Sequence, residues 1–240
     1  MKALIYIPVF NQIAELPRVL VEIAAEKLDD VDFLLVNNGS SDGSEELIRN
    51  AGHPYIDLPR NRGVGHSYIE ALDWALPKDY VLFGAMAGNG KMLASEVPRL
   101  LAPLREGRAD YVTGSRFLSG GDSPNLPSFR KNTIPIVNRI VWLTTGQRVT
   151  DATNGFRAFR LDLMRRATFD WHAEWLYTYG FEYFLYAKAL RAKNVRCIEV
   201  PTTMRYPPKG QRYSKIRPGR DWVAMLQPWV RARVTPGGFR

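Results

Sequence analysis

The sequence predicts an α/β protein with a mostly parallel sheet flanked by helices. Short apolar runs alternate with helix-period segments through the first half, and each run stops at a polar, often glycine-bearing stretch. The length agrees, since 240 residues can enclose one such domain with a full core.

Lys2–Val9 is an Ile- and Val-rich run ending at Asn11, a buried strand. Glu15–Ala25 puts Leu16, Val19, Leu20, Ile23 and Ala24 on one helical stripe, with Pro17 tolerable in the first turn. Phe33–Val36 is a second strand, Ser44–Asn50 a helix, Tyr55–Leu58 a weaker strand and Gly65–Leu76 a helix. Asp79–Ala85 reads as a strand, Ser95–Arg105 as a helix and Tyr111–Ser115 as a strand. Leu118–Phe129 is a polar loop; Ile134–Thr145 and Glu182–Ala192 read as helices, and Val195–Val200 as a last strand. In parallel sheets ligands bind beyond the carboxyl ends of the strands. The site is therefore expected at 8–12, 37–43, 60–65, 85–91 and 114–116.

Composition excludes wholesale disorder, with 45% hydrophobic and 24% charged residues. The net charge of +9 is uneven: of the chain's Lys and Arg, nine fall within 201–240, beside the single acid Asp221. The expected division is a body over 1–200 and a basic, aromatic extension over 201–240. Such an extension suits an anionic partner or simple solubility. Cys197 has no disulfide partner and reads as a packing residue. No apolar run reaches the roughly 18 residues of a spanning helix, so a cytoplasmic protein is expected, with membrane contact only peripheral and at the inner face.

Several motifs occur in one order. They are Pro8-Val9-Phe10-Asn11-Gln12, Val36-Asn37-Asn38-Gly39-Ser40-Ser41-Asp42-Gly43 and Asn61-Arg62-Gly63, then Gly114-Ser115-Arg116, Asp151 with Asn154-Gly155-Phe156-Arg157-Ala158, Glu199-Val200-Pro201 and Ser214-Lys215. The series resembles family 2 glycosyltransferases of the polyprenyl-phosphate, dolichyl-phosphate mannose synthase-like branch. That resemblance implies a GT-A fold, a nucleotide-sugar donor, inversion at the anomeric carbon, a Mg²⁺ or Mn²⁺ ion and a polyprenyl-phosphate or other lipid-linked or small acceptor. It also implies a nucleotide-sugar pocket at Pro8, Phe10, Gln12, Val36, Asn38, Gly39, Ala87, Gly88, Asn89, Lys91 and Arg116.

This chain departs from the family at two places. Asn37-Asn38 replaces Asp-Asp; an amide both donates and accepts, which suggests an altered base preference, with cytosine a suitable partner for Asn38. The metal-holding Asp-x-Asp becomes Ala87-Gly88-Asn89, followed by Lys91. Mg²⁺ prefers carboxylate oxygens, and of this set only Asn89 matches a ligand position. Lys91 is either a fixed cation standing in for the metal or a solvated loop residue in a chain that has lost catalysis; metal held by other groups is the third possibility.

Arg116, Arg130, Arg212, Ser214 and Lys215 are candidates for phosphate and acceptor contacts. Asp151 is the first candidate for general base or orienter, and Glu182 the second. A phosphate acceptor arrives ionised and needs cations more than a base. The competing readings are a non-catalytic nucleotide-sugar binder and a sugar nucleotidyltransferase, although 8–12 lacks the Gly-rich, Arg-bearing first loop of the latter. Nucleic-acid binding by the extension is the least supported. Trp222, Val223, Met225, Leu226, Trp229 and Val230 form either a headgroup-facing surface or a face packed on the body or a second subunit, and the sequence leaves the oligomeric state open.

Overall fold

The computed structural model describes residues 1–208 and 220–240, with side chains from 223 onward in the second stretch. The extension's Arg212, Ser214 and Lys215, and the Trp222 side chain, lie outside the described residues.

Among the described residues seven strands form one sheet in the order β3-β2-β1-β4-β6-β5-β7. These are β1 (Ala3–Val9), β2 (Val31–Asn38), β3 (Tyr55–Leu58), β4 (Leu82–Ala85), β5 (Tyr111–Ser115), β6 (Arg157–Arg160) and β7 (Cys197–Pro201). β1 pairs in parallel with β2 and β4, β2 with β3, and β5 with β7. β6 runs antiparallel between β4 and β5.

The α/β class and the mostly parallel sheet are as the sequence predicts; β6 is the element it does not show. A strand is usually betrayed by apolar alternation. Here one inward position is taken by Arg157, whose guanidinium is fully buried and lies 4.4 Å from the centre of the Tyr186 ring. Nε and Nη2 donate to the carbonyls of Asn154 and Ala152, at 2.8 and 2.7 Å. A core arginine with its donors satisfied looks like a surface residue to any hydropathy reading.

Alternation along β1 divides the core. Leu4 and Tyr6 face one layer, Ala3, Ile5, Ile7 and Val9 the other. The first layer lies under α3 (Val64–Ala75) and α7 (Gly180–Arg191), through Tyr68, Leu72, Phe181 and Phe184. The second lies under α1 (Leu16–Ala25) and α4 (Val97–Arg105), through Leu16, Val19, Leu100 and Leu104. α2 (Ser44–Arg49) follows β2, and the short α6 (Asp162–Arg165) follows β6.

α5 (Ser128–Thr145) begins six residues earlier than its apolar pattern suggests, because Ser128–Thr133 is polar apart from an exposed Phe129 and lies at the surface end of the helix. It packs against α7 and against α8 (Arg220–Val234). α8 continues through Pro228 and buries Trp229 completely, with its ring 5.7 Å from that of Tyr183 and 6.0 Å from that of Tyr186. Of the apolar residues that the sequence groups here, Trp229 packs on the body, while Val223 and Val230 stay exposed. The last residues pack as well: Lys188 Nζ donates to the carbonyls of Thr235 and Gly237, at 2.6 and 2.9 Å. Burial raises the Cys197 thiol to about 12, which makes it an inert packing group. No helix among the described residues is long and apolar enough to cross a membrane.

Candidate active site

The loops following β1, β2 and β3 are stitched together. Asn11 N–H donates to Ser40 Oγ at 3.0 Å, and Ser41 N–H returns to Asn11 Oδ1 at 2.8 Å. Gln12 N–H reaches Ser44 Oγ at 2.8 Å, and Ile13 N–H reaches Asp42 Oδ2 at 2.9 Å. Gly39 has φ +69°, and a Cβ there would lie 2.6 Å from the backbone of Arg60 and Asn61, so only glycine lets the second and third loops touch. Pro8, Phe10, Gln12, Val36, Asn38 and Gly39 thus come together at the carboxyl ends of adjacent strands, where the sequence places them.

The two asparagines differ. Asn37 is a brace: Nδ2 donates to Asp57 Oδ1 at 2.7 Å and Oδ1 accepts from Ser40 N–H at 3.0 Å. A carboxylate at 37 would face that of Asp57, which explains the amide. Asn38 Nδ2 donates to the carbonyl of Gly63 at 3.2 Å and weakly to Asn61 Oδ1 at 3.4 Å. Its Oδ1 is buried without a protein partner. The amide therefore presents an acceptor, and its donors are already committed.

The loop after β4 is pressed against β1. A Cβ on Gly88 would meet Gln12 Oε1 at 2.6 Å and the Pro8 carbonyl at 2.9 Å. Arg18 clamps the same loop from α1, its Nη2 donating to the Gly90 carbonyl at 2.6 Å. Asn89 is turned inward on the loop itself, its Oδ1 accepting Lys91 N–H at 3.2 Å. Lys91 is largely sunk beside Tyr206, with Nζ 5.7 Å from the ring centre. Burial, and then the charge of Arg130, outweigh the pull of Glu15 and, with a smaller push from Arg116, lower the Lys91 ammonium to about 8. Lysine, α5 arginine and β5 arginine thus form one desolvated cationic cluster.

Arg116 is locked in place. Nε donates to Asp151 Oδ2 and Nη2 to Asp151 Oδ1, both at 2.6 Å, with neither side chain exposed. Nη2 also reaches Thr153 Oγ1 at 2.6 Å, and Nη1 donates to the Tyr206 hydroxyl. Burial works against the Arg116 charge, yet Asp151 outweighs it and holds the guanidinium above its ordinary value. Behind them Glu199 accepts the backbone N–H groups of Thr150 and Asp151, at 2.7 and 2.9 Å. Glu182 lies apart, its Oε1 3.4 Å from Arg157 Nε and its carboxylate against Gly155. Burial raises the Glu182 carboxyl above its usual range despite Arg157.

The geometry brings Lys91, Arg116, Arg130 and Asp151 into one region and leaves Glu182 on the α7 side of the 151–157 segment. Arg18, Tyr206 and Thr153 are the residues the sequence does not single out for this site. Tyr206 carries a faint signal, an aromatic set among the cations of the extension. Arg18 carries none, because its contact is with a backbone carbonyl 72 residues away.

A divalent ion does not fit the segment after β4. Ala87, Gly88 and Asn89 offer no carboxylate, the Asn89 oxygen is used within the loop, and Lys91 adds positive charge. Among the described residues no group of three or more His, Cys, Asp or Glu side chains could hold a metal elsewhere.

The pattern of glycosyl transferase family 2 matches residues 4–170. An undecaprenyl-phosphate mannosyltransferase of Micrococcus luteus is 31% identical over 208 residues, 85% of this chain and 83% of the relative. A polyprenol monophosphomannose synthase of Mycolicibacterium smegmatis is 28% identical over 171 residues, 69% of this chain and 64% of the relative. In shape the chain resembles glucosyl-3-phosphoglycerate synthase from Mycobacterium tuberculosis, crystallised with Mn²⁺, UDP and phosphoglyceric acid. That likeness has TM-score 0.70 and 16% identity over 98% of this chain and 79% of the other, and it speaks for the GT-A fold alone. With two thirds of its length inside the family pattern, this chain belongs to glycosyl transferase family 2 and is a glycosyltransferase of GT-A fold.

Proposed function

We propose that this enzyme moves a sugar from a nucleotide-sugar donor to the phosphate of a polyprenyl phosphate, with inversion, and that Lys91 and Arg130 neutralise the donor diphosphate in place of a carboxylate-held metal. The observation that carries the reading is the cationic cluster at the end of β4, where Lys91 is desolvated and repelled by Arg130 and Arg116. Such a site gains most from an anion that restores the balance of charge. The names of the Micrococcus and Mycolicibacterium relatives support the acceptor class.

In this reading 8–12 and 36–39 hold the nucleoside, and Asn38 Oδ1 accepts an N–H from the base. The acceptor phosphate oxygen attacks the anomeric carbon from the face opposite the diphosphate. The bond from that carbon to the diphosphate oxygen breaks, and the cations take up the charge that develops. The attacking oxygen is already ionised, so no protein base is required. That suits Asp151, whose two oxygens are occupied by Arg116; we assign it the role of orienter, which fixes Arg116 behind Lys91. Arg212, Ser214 and Lys215 remain candidates for the acceptor phosphate.

The test is sugar transfer by purified protein from UDP-, GDP- and CDP-sugars to a short-chain polyprenyl phosphate, with and without a chelator. Transfer that persists with the chelator and is lost in Lys91→Ala is expected. Transfer abolished by the chelator and restored by Mn²⁺ overturns the lysine substitution. Donor binding without transfer or donor hydrolysis favours the non-catalytic binder.

A further inference from the structure

α5 has two faces of different character. Inward, Ile134 and Val141 are buried, and the charge of Arg130 reaches Lys91 and lowers its proton affinity. Outward, Phe129, Ile136 and Leu143 are 46%, 60% and 61% exposed. They are spaced by seven residues, close to two helical turns, and so form one stripe. On the neighbouring α8, Val223 and Val230 repeat that spacing and are 69% and 54% exposed.

Along α5 and its flanking loops the charge has one sign. Between Asp122 and Asp151 the chain carries Arg130, Lys131, Arg139 and Arg148 and no acidic residue. Lys131, Arg139 and Arg148 form no ion pair among the described residues. Trp142 stands between Arg139 and Arg148, with their guanidinium carbons 5.4 and 5.5 Å from its ring centres, in a shallow niche completed by Asn138 and Val149.

We propose that the outer face of α5, continued by the exposed valines of α8, docks on the surface of an anionic lipid bilayer. Aliphatic and phenyl side chains suit the boundary between headgroups and acyl chains, and unpaired arginines beside a tryptophan suit the lipid phosphates. A second copy of this chain fits poorly, because a twofold contact would set these cations against their own kind. A nucleic acid would leave the aliphatic stripe without a partner. Arg130, on the other face of the same helix, belongs to the cationic cluster, so docking here would hold that cluster one helix away from the bilayer surface. The inference rests on the polyprenyl-phosphate reading for its purpose, while its test does not.

The test is flotation of the full chain with phosphatidylglycerol-containing vesicles and with pure phosphatidylcholine vesicles, in the absence of donor and acceptor. Wild type should float with the anionic vesicles at least about tenfold more strongly than with the neutral ones. Ile136→Glu/Leu143→Glu should reduce that binding by about tenfold or more, as should Arg139→Glu/Arg148→Glu. Val21→Glu, on the exposed side of α1, should leave it unchanged, and thermal melts followed by circular dichroism should show all variants folded. Equal flotation of the double variants and wild type overturns the proposal. So does a wild type that binds neither vesicle, or sedimentation showing a dimer that Ile136→Glu/Leu143→Glu dissolves. Transfer to a short-chain acceptor without vesicles reports on the enzyme reading separately. Wild type that binds anionic vesicles but transfers nothing supports the docking surface and counts against the acceptor.

Discussion

Glu199 accepts the backbone N–H of Asp151 at 2.9 Å, and so fixes the carboxylate that holds Arg116 from both sides. The middle of β7 thereby supports the arginine that follows β5 through a loop that belongs to neither strand. Removing the middle member should be the severest change. Asp151→Asn leaves a buried guanidinium without its counter-charge, and breaking such a pair costs about 3–5 kcal/mol. Urea unfolding should show a loss of that size, against a smaller one for Glu199→Gln, which keeps one acceptor oxygen.

Nucleotide binding should depend on pH through Lys91. Its free ammonium is lowered to about 8, and a bound diphosphate favours the charged form. Affinity should therefore hold below pH 8 and weaken as the pH rises through it, by up to about tenfold per unit. Calorimetry with a nucleoside diphosphate in wild type and Lys91→Met checks this. The variant should bind weakly at every pH and lose the slope.

Base choice should turn on Asn38. Its Oδ1 is a buried acceptor, while its donors are held by Gly63 and Asn61. Uracil and guanine imino groups and the cytosine amino group can all donate to it, so the altered preference expected from the amide narrows to which of these reaches the oxygen. Asn38→Leu should weaken the tightest of UDP, GDP and CDP by about 1–1.5 kcal/mol, one neutral hydrogen bond, and narrow the gap to the others. Equal loss for all three would remove Asn38 from base selection.

Trp229 should matter for stability and not for chemistry. Its indole fixes α8 to α7 among Tyr183 and Tyr186. Trp229→Ala should cost about 3–5 kcal/mol in a denaturant melt, with donor affinity unchanged at temperatures where the chain stays folded.

The parts legible in the sequence are those that obey local rules. β1, β3 and β5 follow their apolar runs to within a residue, and the loops at 8–12 and 36–39 meet because parallel neighbours must align their carboxyl ends. What escaped depends on distance along the chain. Arg116 and Asp151 are 35 residues apart, and neither the pair nor its backing by Glu199 leaves a local trace. β6 escaped for the opposite reason, since a buried arginine in a short segment erases the alternation that marks a strand. The outer face of α5 was illegible for a different reason: its Phe129, Ile136 and Leu143 look like core positions until the fold leaves them exposed.

Antiparallel β6 divides the sheet. The strands on one side of it, β3, β2, β1 and β4, carry the residues proposed to bind the nucleotide; on the other, Arg116 follows β5 and β7 carries the support for Asp151. A seam of reversed direction thus separates two parallel blocks of one sheet. On the proposed reading, a chimera joined after Lys91 would keep the nucleoside contacts of one parent and take Arg116, Arg130 and Asp151 from the other, so it would test which half sets the choice of acceptor.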